Sequence, residues 1–377
     1  MDFASLKNHI LLRQSILKRQ GNHYDWVAKD PVVRYTSPGL HFLANHGLLE
    51  VDEASLRTSK AAYYQNKARW VLWEPVSHQV IQLFHDHDIE TIPLKAFDYT
   101  HQLYPDPGLR AFSDIDLLVK KGKFIPAIQT LMQHNFRLVD EDLRVLMQSP
   151  EKVTEVTLLS PQGFAIEIHQ SLLPVKNFFR YEKAFNLDES SLWNRAEKRE
   201  NTSGLHASLN LVDKLAHMCL HAATHGLSAQ SPFTYLDLDS WVRKESSNIN
   251  WQEFIQVAQS WKIRSAAYHT FQLCKHIYDT PIPNEVLMKV DPGFWAKWRV
   301  NWVYSIESYI SNNHKKPGIR TPKWVRLMLH DQFTDILKIL LGGLFPTSQF
   351  RQTVYGTPAS LLSHWSRLLK KIKIPNP

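Results

Sequence analysis

A chain of 377 residues with 44% hydrophobic and 21% charged residues has room for two or three domains and is far too apolar to be disordered. Thirteen Gly and 20 Pro exclude a collagen-like or linker-dominated architecture; two cysteines, Cys219 and Cys274, exclude a disulfide scaffold or cysteine-rich zinc module and fit a reducing compartment. The net charge of +8 sits at one end: residues 312–377 hold 11 Lys+Arg against two Asp+Glu, a net of +9, which leaves −1 for residues 1–311.

No run reaches about 18 consecutive apolar residues, so no spanning helix is expected. The longest, Ile336 to Phe345, carries Lys338. The first twenty residues read as a short amphipathic helix, with Asp2 early and no continuous apolar stretch or small-residue cleavage site. A soluble cytoplasmic protein is expected.

Residues 1–89 read as helical. Ser59 to His85 is helix-compatible apart from Pro75, with Trp70, Trp73, Val80 and Leu83 as apolar positions. From Glu90 the texture changes. Thr91 to Lys95 reads as a strand, Ala96 to Leu103 as a helix, and Tyr104 to Arg110, dense in Pro and Gly, as a loop. Asp114 to Val119 is a strand and Phe124 to His134 an amphipathic helix. Phe136 to Val139, Val153 to Leu159 and Phe164 to His169 are further strands. The turn signal Ser160 to Gly163 joins the last two into a hairpin. After Leu172 helical texture returns and persists. Leu209 to His225 has a strong 3.6-residue pattern closed by Gly226, followed by Phe233 to Val242, Trp251 to Trp261 and Arg264 to Tyr278. The 12 tryptophans read as packing residues. The division is 1–89 N-terminal helical, 90–172 α/β core, 173–311 helical, and 312–377 basic helical. The fold class is α+β, a small mixed sheet flanked by helical regions.

The chemistry-bearing run is Ser113-Asp114-Ile115-Asp116-Leu117-Leu118-Val119. Side chains on a strand alternate faces, so Asp114 and Asp116 share one face while Ile115 and Leu117 share the other. Two carboxylates on one face repel unless a cation lies between them. Hard divalent cations such as Mg²⁺ take oxygen ligands and bridge carboxylates to phosphates. A third carboxylate on a neighbouring strand completes a two-metal clamp for in-line phosphoryl displacement. Glu167, alternating with Ile166 and Ile168 and sharing a face with His169, is that candidate.

Leu94-Lys95-Ala96, then Tyr104-Pro105-Asp106-Pro107-Gly108-Leu109-Arg110, then Ser113 to Val119 resembles the signature of the uncharacterised bacterial nucleotidyltransferase family within the DNA polymerase β superfamily. Glu167-Ile168-His169 resembles the family's later D-x-H, with Glu for Asp. The resemblance is specific over 94–119 and extends more weakly over about 30–370. It implies a minimal nucleotidyltransferase palm. Asp114, Asp116 and Glu167 would bind Mg²⁺ (or Mn²⁺) and an NTP, and attack on the α-phosphorus would transfer a nucleoside monophosphate and release pyrophosphate. Lys95, Ala96, Arg110 and Ser113 would then meet the nucleotide's phosphates, with Arg110 paired to Asp106 or Asp98 and Ser113 capping the turn as the structural alternatives. Ala96 stands where the family has Gly, so a Cβ occupies a place at which backbone N–H groups approach a phosphate. That departure keeps a catalytically degenerate nucleotide-binding scaffold open as an alternative.

Asp213, His217, His221 and His225 recur every four residues on one helix. With Asp237 or Asp239 the histidines suit a metallohydrolase, the second alternative. As a third reading, His169, His221, His225 and Asp237 line an acceptor site beside the palm. The acceptor itself, small molecule, peptide or protein side chain, or RNA end, is left open. Leu361, Leu362, Trp365, Leu368, Leu369 and Ile372 form an apolar stripe in the basic tail. That tail suits an acidic partner or an anionic membrane surface. No DNA partner is expected.

Overall fold

In the computed structural model, the described residues are 31–48, 50, 53–139, 146–147, 150, 153–173, 184–201, 204–227, 232–303, 327–348, 351 and 359–371. The helix expected over the first twenty residues lies outside them, as does the end of the tail stripe at Ile372. Two helices, α1 (Pro31–Asn45) and α2 (Glu53–Asp86), pack on one another. α2 is longer than the predicted helix and runs through Pro75. Trp70, Trp73, Val76, Val80 and Phe84, three or four residues apart, give it one buried face.

Five strands follow: β1 (Thr91–Leu94), β2 (Ile115–Val119), β3 (Arg137–Leu138), β4 (Glu155–Leu159) and β5 (Ala165–His169). Their order is β1-β2-β5-β4-β3. β2 and β5 run parallel and all other neighbours antiparallel, so the sheet is mixed, as expected. A parallel pair needs a crossover. It includes α4 (Phe124–Gln133); α3 (Lys95–Leu103) lies between β1 and β2.

The alternation of β2 splits the molecule into two cores. Ile115, Leu117 and Val119 join Ile166 and Ile168 of β5 in packing against the α2 aromatics and against Phe124, Ile128 and Leu131 of α4. Leu118, with Ile92 and Leu94 of β1, faces the other way into a larger core. That core runs through α6 (Leu211–His225), α7 (Pro232–Lys244), α8 (Trp251–Ser260) and α9 (Arg264–Tyr278). Asn210 caps α6 by accepting from the Asp213 N–H, and Gly226, at φ 84°, ends it where the sequence places the stop. The other helices among the described residues are α5 (Glu189–Arg195), α10 (Asn284–Val290), α11 (Phe294–Val303), α12 (Phe333–Leu344) and α13 (Leu361–Lys371).

Two expectations are corrected. A hairpin, β6 (Glu197–Asn201) and β7 (Gly204–Ser208), interrupts the stretch read as continuously helical. Its first strand is Glu-Lys-Arg-Glu-Asn, which carries no apolar alternation to mark a strand. The tryptophans are not all packing residues: Trp70 and Trp261 are buried, but Trp295, Trp298 and Trp302 stand outward on one face of α11. No helix among the described residues is long and apolar enough to cross a membrane. Cys219 and Cys274 are free and buried.

The loop that delivers the Asp114–Asp116 run is strapped to α2. Lys67 Nζ reaches Asp106 at 2.8 Å, Asn66 Nδ2 donates to the Gly108 carbonyl at 3.2 Å, and Arg69 donates to the Phe112 carbonyl at 2.7 Å. Asp106 also accepts from the Gly108 N–H, closing a single 3₁₀ turn at Pro107–Leu109. A Cβ on Gly108 would lie 2.9 Å from the Tyr63 ring and 3.0 Å from Asp106 Oδ1. Tyr63 is buried and has little room to retreat. Gly108→Ala should therefore lower stability by about 1–3 kcal/mol, read from urea midpoints. An unchanged midpoint would mean that the ring yields freely.

Candidate functional site

Register brings the acidic residues together. Leu94 of β1 lies opposite Asp116 of β2, and Asp116 lies beside Glu167 of β5. The next row is Ile92, Leu118 and His169, continued by Glu155 of β4. The carboxylates thus occupy the sheet face that looks toward the C-terminal helices. Asp116 is buried and Glu167 half-buried. Asp114 precedes the strand by one residue, although the sequence suggests a strand from that point. Its carboxyl still feels the charges of Asp116 and Glu167, and it accepts a hydrogen bond from exposed Ser113.

Two cations neutralise Asp116. Lys95 Nζ donates to its Oδ1 at 2.7 Å, and His169 Nε2 lies 3.0 Å from the same oxygen. Burial disfavours the Asp116 charge, but Lys95 and His169 outweigh it and hold the carboxyl far below the usual range. Burial likewise opposes the charge on His169. Its hydrogen bonds to Asp116 and Glu167, with the charge of Asp116, win and raise it to about 9. Protonated at neutral pH, His169 donates from Nε2, and its Nδ1 lies 3.5 Å from Glu155. Asp114 is pushed up to about 6 by burial and then by the Asp116 charge. Lys95 is raised above the ordinary lysine range, because Asp116, Asp114 and Glu167 together overcome its burial.

The donor chemistry fits a divalent cation. Asp116, Glu167 and His169 bring one ligand-type atom each to within 4.8 Å of one another, and while His169 is protonated the two carboxylates are the members with lone pairs to give. Carboxylate oxygens are the hard donors that Mg²⁺ and Mn²⁺ take. Asp114, raised by burial and then by its acidic neighbours, is not part of this group of three. Among the described residues this is the group that could hold a metal; the α6 histidines form none.

The remaining predicted residues separate. Ala96 is buried against the first core, and its φ is not positive. The left-handed residue is its neighbour Lys95, at φ 52°. The alanine Cβ therefore meets no backbone penalty, and only the backbone of Ala96 is left to meet a phosphate. Arg110 and Asp237 form a buried ion pair of 2.8 Å, with the guanidinium 4.4 Å above the Phe233 ring. His217 is buried, His221 partly buried and His225 exposed, so the α6 stripe runs from the interior to the surface. Burial lowers His217 to about 3 and holds His221 well below the ordinary histidine range; Lys95 acts on both in the same sense. The stripe thus lies within electrostatic reach of the carboxylate group. Its neighbour Asp213 is bound by Arg195 at 2.7 Å.

Sequence reasoning placed His169 with an acceptor, whereas its ring nitrogen is hydrogen-bonded to Asp116 inside the carboxylate group. It missed Glu155 altogether. The signal was present: the turn at 160–163 sets a hairpin register in which Glu155 pairs with His169.

Buried histidines also set an acid limit. His217 and His330 are lowered to about 3 and His269 to about 4, all by burial first. The unfolded chain takes up these protons near 6.5 and the fold refuses them, so stability is lost as pH falls below that value. Between about pH 7.5 and 5.5 the three together withdraw about 4 kcal/mol. His169 and Asp114, protonated more readily in the fold, return about half of this. A net loss of at least about 2 kcal/mol is expected in urea melts at the two pH values, since His221, also held low by burial, adds to the three. A midpoint that holds or rises would show that these histidines are charged in the fold.

A family model described as an uncharacterised nucleotidyltransferase matches residues 40–279, a span that contains every strand among the described residues and α2 through α9. A search against curated proteins finds no match.

Proposed function

The chain belongs to this uncharacterised nucleotidyltransferase family, and on that premise we propose that it transfers a nucleoside monophosphate from an NTP to an acceptor, using Asp114, Asp116 and Glu167. The single observation that carries the reading is the pairing of Asp116 with Glu167 on adjacent parallel strands, with Asp114 two residues before Asp116. These three carboxylates would hold Mg²⁺ or Mn²⁺, which when bound supplies charge neutralisation and alignment for in-line displacement at phosphorus. The protein's own part is positional. His169 fixes Asp116 by donating to Oδ1, and Glu155 lies close to the other ring nitrogen. Lys95 is the cation available to phosphate oxygens, being 28% exposed.

The acceptor side belongs to α6. His221 and His225 continue the stripe outward from buried His217, and the neutral ring of His221 can accept or donate without adding charge. Arg110 and Asp237 serve this region from behind, by cross-linking the loop to α7.

The test follows label from α- and γ-labelled NTPs, with Mg²⁺ or Mn²⁺, into a cell extract and into the protein itself. Label from the α position alone, lost in Asp114→Asn/Asp116→Asn, is the expected result. Label from γ alone would mean phosphoryl transfer instead. Neither transfer nor NTP binding would leave a scaffold.

A further inference from the structure

Lys95 occupies an unusual place. Its ammonium donates to Asp116 Oδ1 at 2.7 Å and is drawn also by Asp114 and Glu167. It therefore lies on Asp116 and within electrostatic reach of the other two carboxylates assigned above to a divalent cation. Chain geometry shows how it gets there. Leu94 pairs with Asp116 and shares its face of the sheet. A regular continuation of β1 would send the next side chain to the opposite face. Instead Lys95 takes φ 52°, a left-handed conformation that non-glycine residues adopt at an energetic cost. The turn swings its side chain back over Asp116. The tip keeps a path to solvent, since the side chain is 28% exposed.

We infer that Lys95 holds the place of the divalent cation in the nucleotide-free protein and yields it when nucleotide phosphates draw the ammonium away. With Lys95 and His169 already on Oδ1, a divalent cation at Asp116 meets strong repulsion, and Lys95, the more exposed of the two, is the one with a path to withdraw. A phosphate chain gives the ammonium an alternative anion, and the vacated oxygens then accept the metal. Metal and nucleotide thus bind with positive coupling, and by linkage each tightens the other by the same factor. The inference rests on the nucleotidyltransferase reading of this site and adds to it an order of events.

The experiment measures Mn²⁺ binding to the full chain by the loss of free-Mn²⁺ EPR signal, without nucleotide. Lys95→Asn removes the charge and keeps a residue that tolerates the left-handed region; Lys95→Arg keeps the charge. Lys95→Asn should bind Mn²⁺ at least about tenfold more tightly than wild type, and Lys95→Arg should stay near wild type. A second arm measures the affinity of an α,β-methylene NTP analogue with and without Mn²⁺. Mn²⁺ should tighten it in wild type, with a smaller factor in Lys95→Asn. Circular dichroism verifies that both variants fold. Unchanged or weaker Mn²⁺ binding by folded Lys95→Asn overturns the inference. Should wild type nevertheless transfer α-label, the reading of the site survives alone. Should wild type bind neither Mn²⁺ nor the analogue, both fail together.

Discussion

Asp116→Asn should reduce nucleotidyl transfer by at least about a thousandfold, equivalent to about 4 kcal/mol of transition-state stabilisation. Asp116 is the central member of the carboxylate row, paired with Glu167 and contacted by both Lys95 and His169. An amide keeps the shape and loses the charge. A second readout separates this from simple unfolding. His169 owes its elevation to about 9 to hydrogen bonds with Asp116 and Glu167 and to the Asp116 charge, against burial and the charge of Lys95. Without that charge its titration, followed by imidazole NMR signals, should move downward. Normal transfer by a folded Asp116→Asn would remove the site from the position given to it here.

Asp237→Ala should destabilise the fold by about 3–5 kcal/mol, because it strands a buried guanidinium. Asp237 is met by Arg110 through Nε at 3.2 Å and through a terminal nitrogen at 2.8 Å, and the Tyr104 hydroxyl donates to it as well. Only 11% of the Arg110 side chain and 3% of the Asp237 side chain reach solvent. Replacing both, as Arg110→Met/Asp237→Leu, should recover most of the loss, since no charge is then left unpaired. Urea midpoints of the two single variants and the double variant give the answer. A nearly neutral Asp237→Ala would return Arg110 to the phosphate role that the sequence suggested.

The two residues also show where the sequence was legible. The Pro-Gly loop, the β4–β5 hairpin, α6 and its glycine stop carry local signals, and each formed close to its expected bounds. Alternation placed Asp116 on the face opposite Ile115 and Leu117. What lay beyond reach was long-range or conformational. The Arg110–Asp237 pair spans 127 positions, and no local pattern names such a partner. The positive φ of Lys95 is carried by a residue type that gives no hint of it. The β6 strand was missed because its residues are polar, so neither strand nor helix periodicity stood out.

The parallel pairing of β2 with β5 has a consequence for how the chain acquires its chemistry. Asp116 and Glu167 become neighbours only after the intervening crossover closes, and pairings of that range form slowly. The face they stand on also carries Ile92, Leu94 and Leu118, which are covered by helices up to Phe271 and beyond. On the ribosome the sheet emerges first, with that face still uncovered. The expected order of assembly therefore puts the α2–α4 side early and the acidic row late. A chain cut after Leu172 would keep every site carboxylate yet lose the cover of an apolar surface, and should be recovered as aggregate rather than as a small active enzyme.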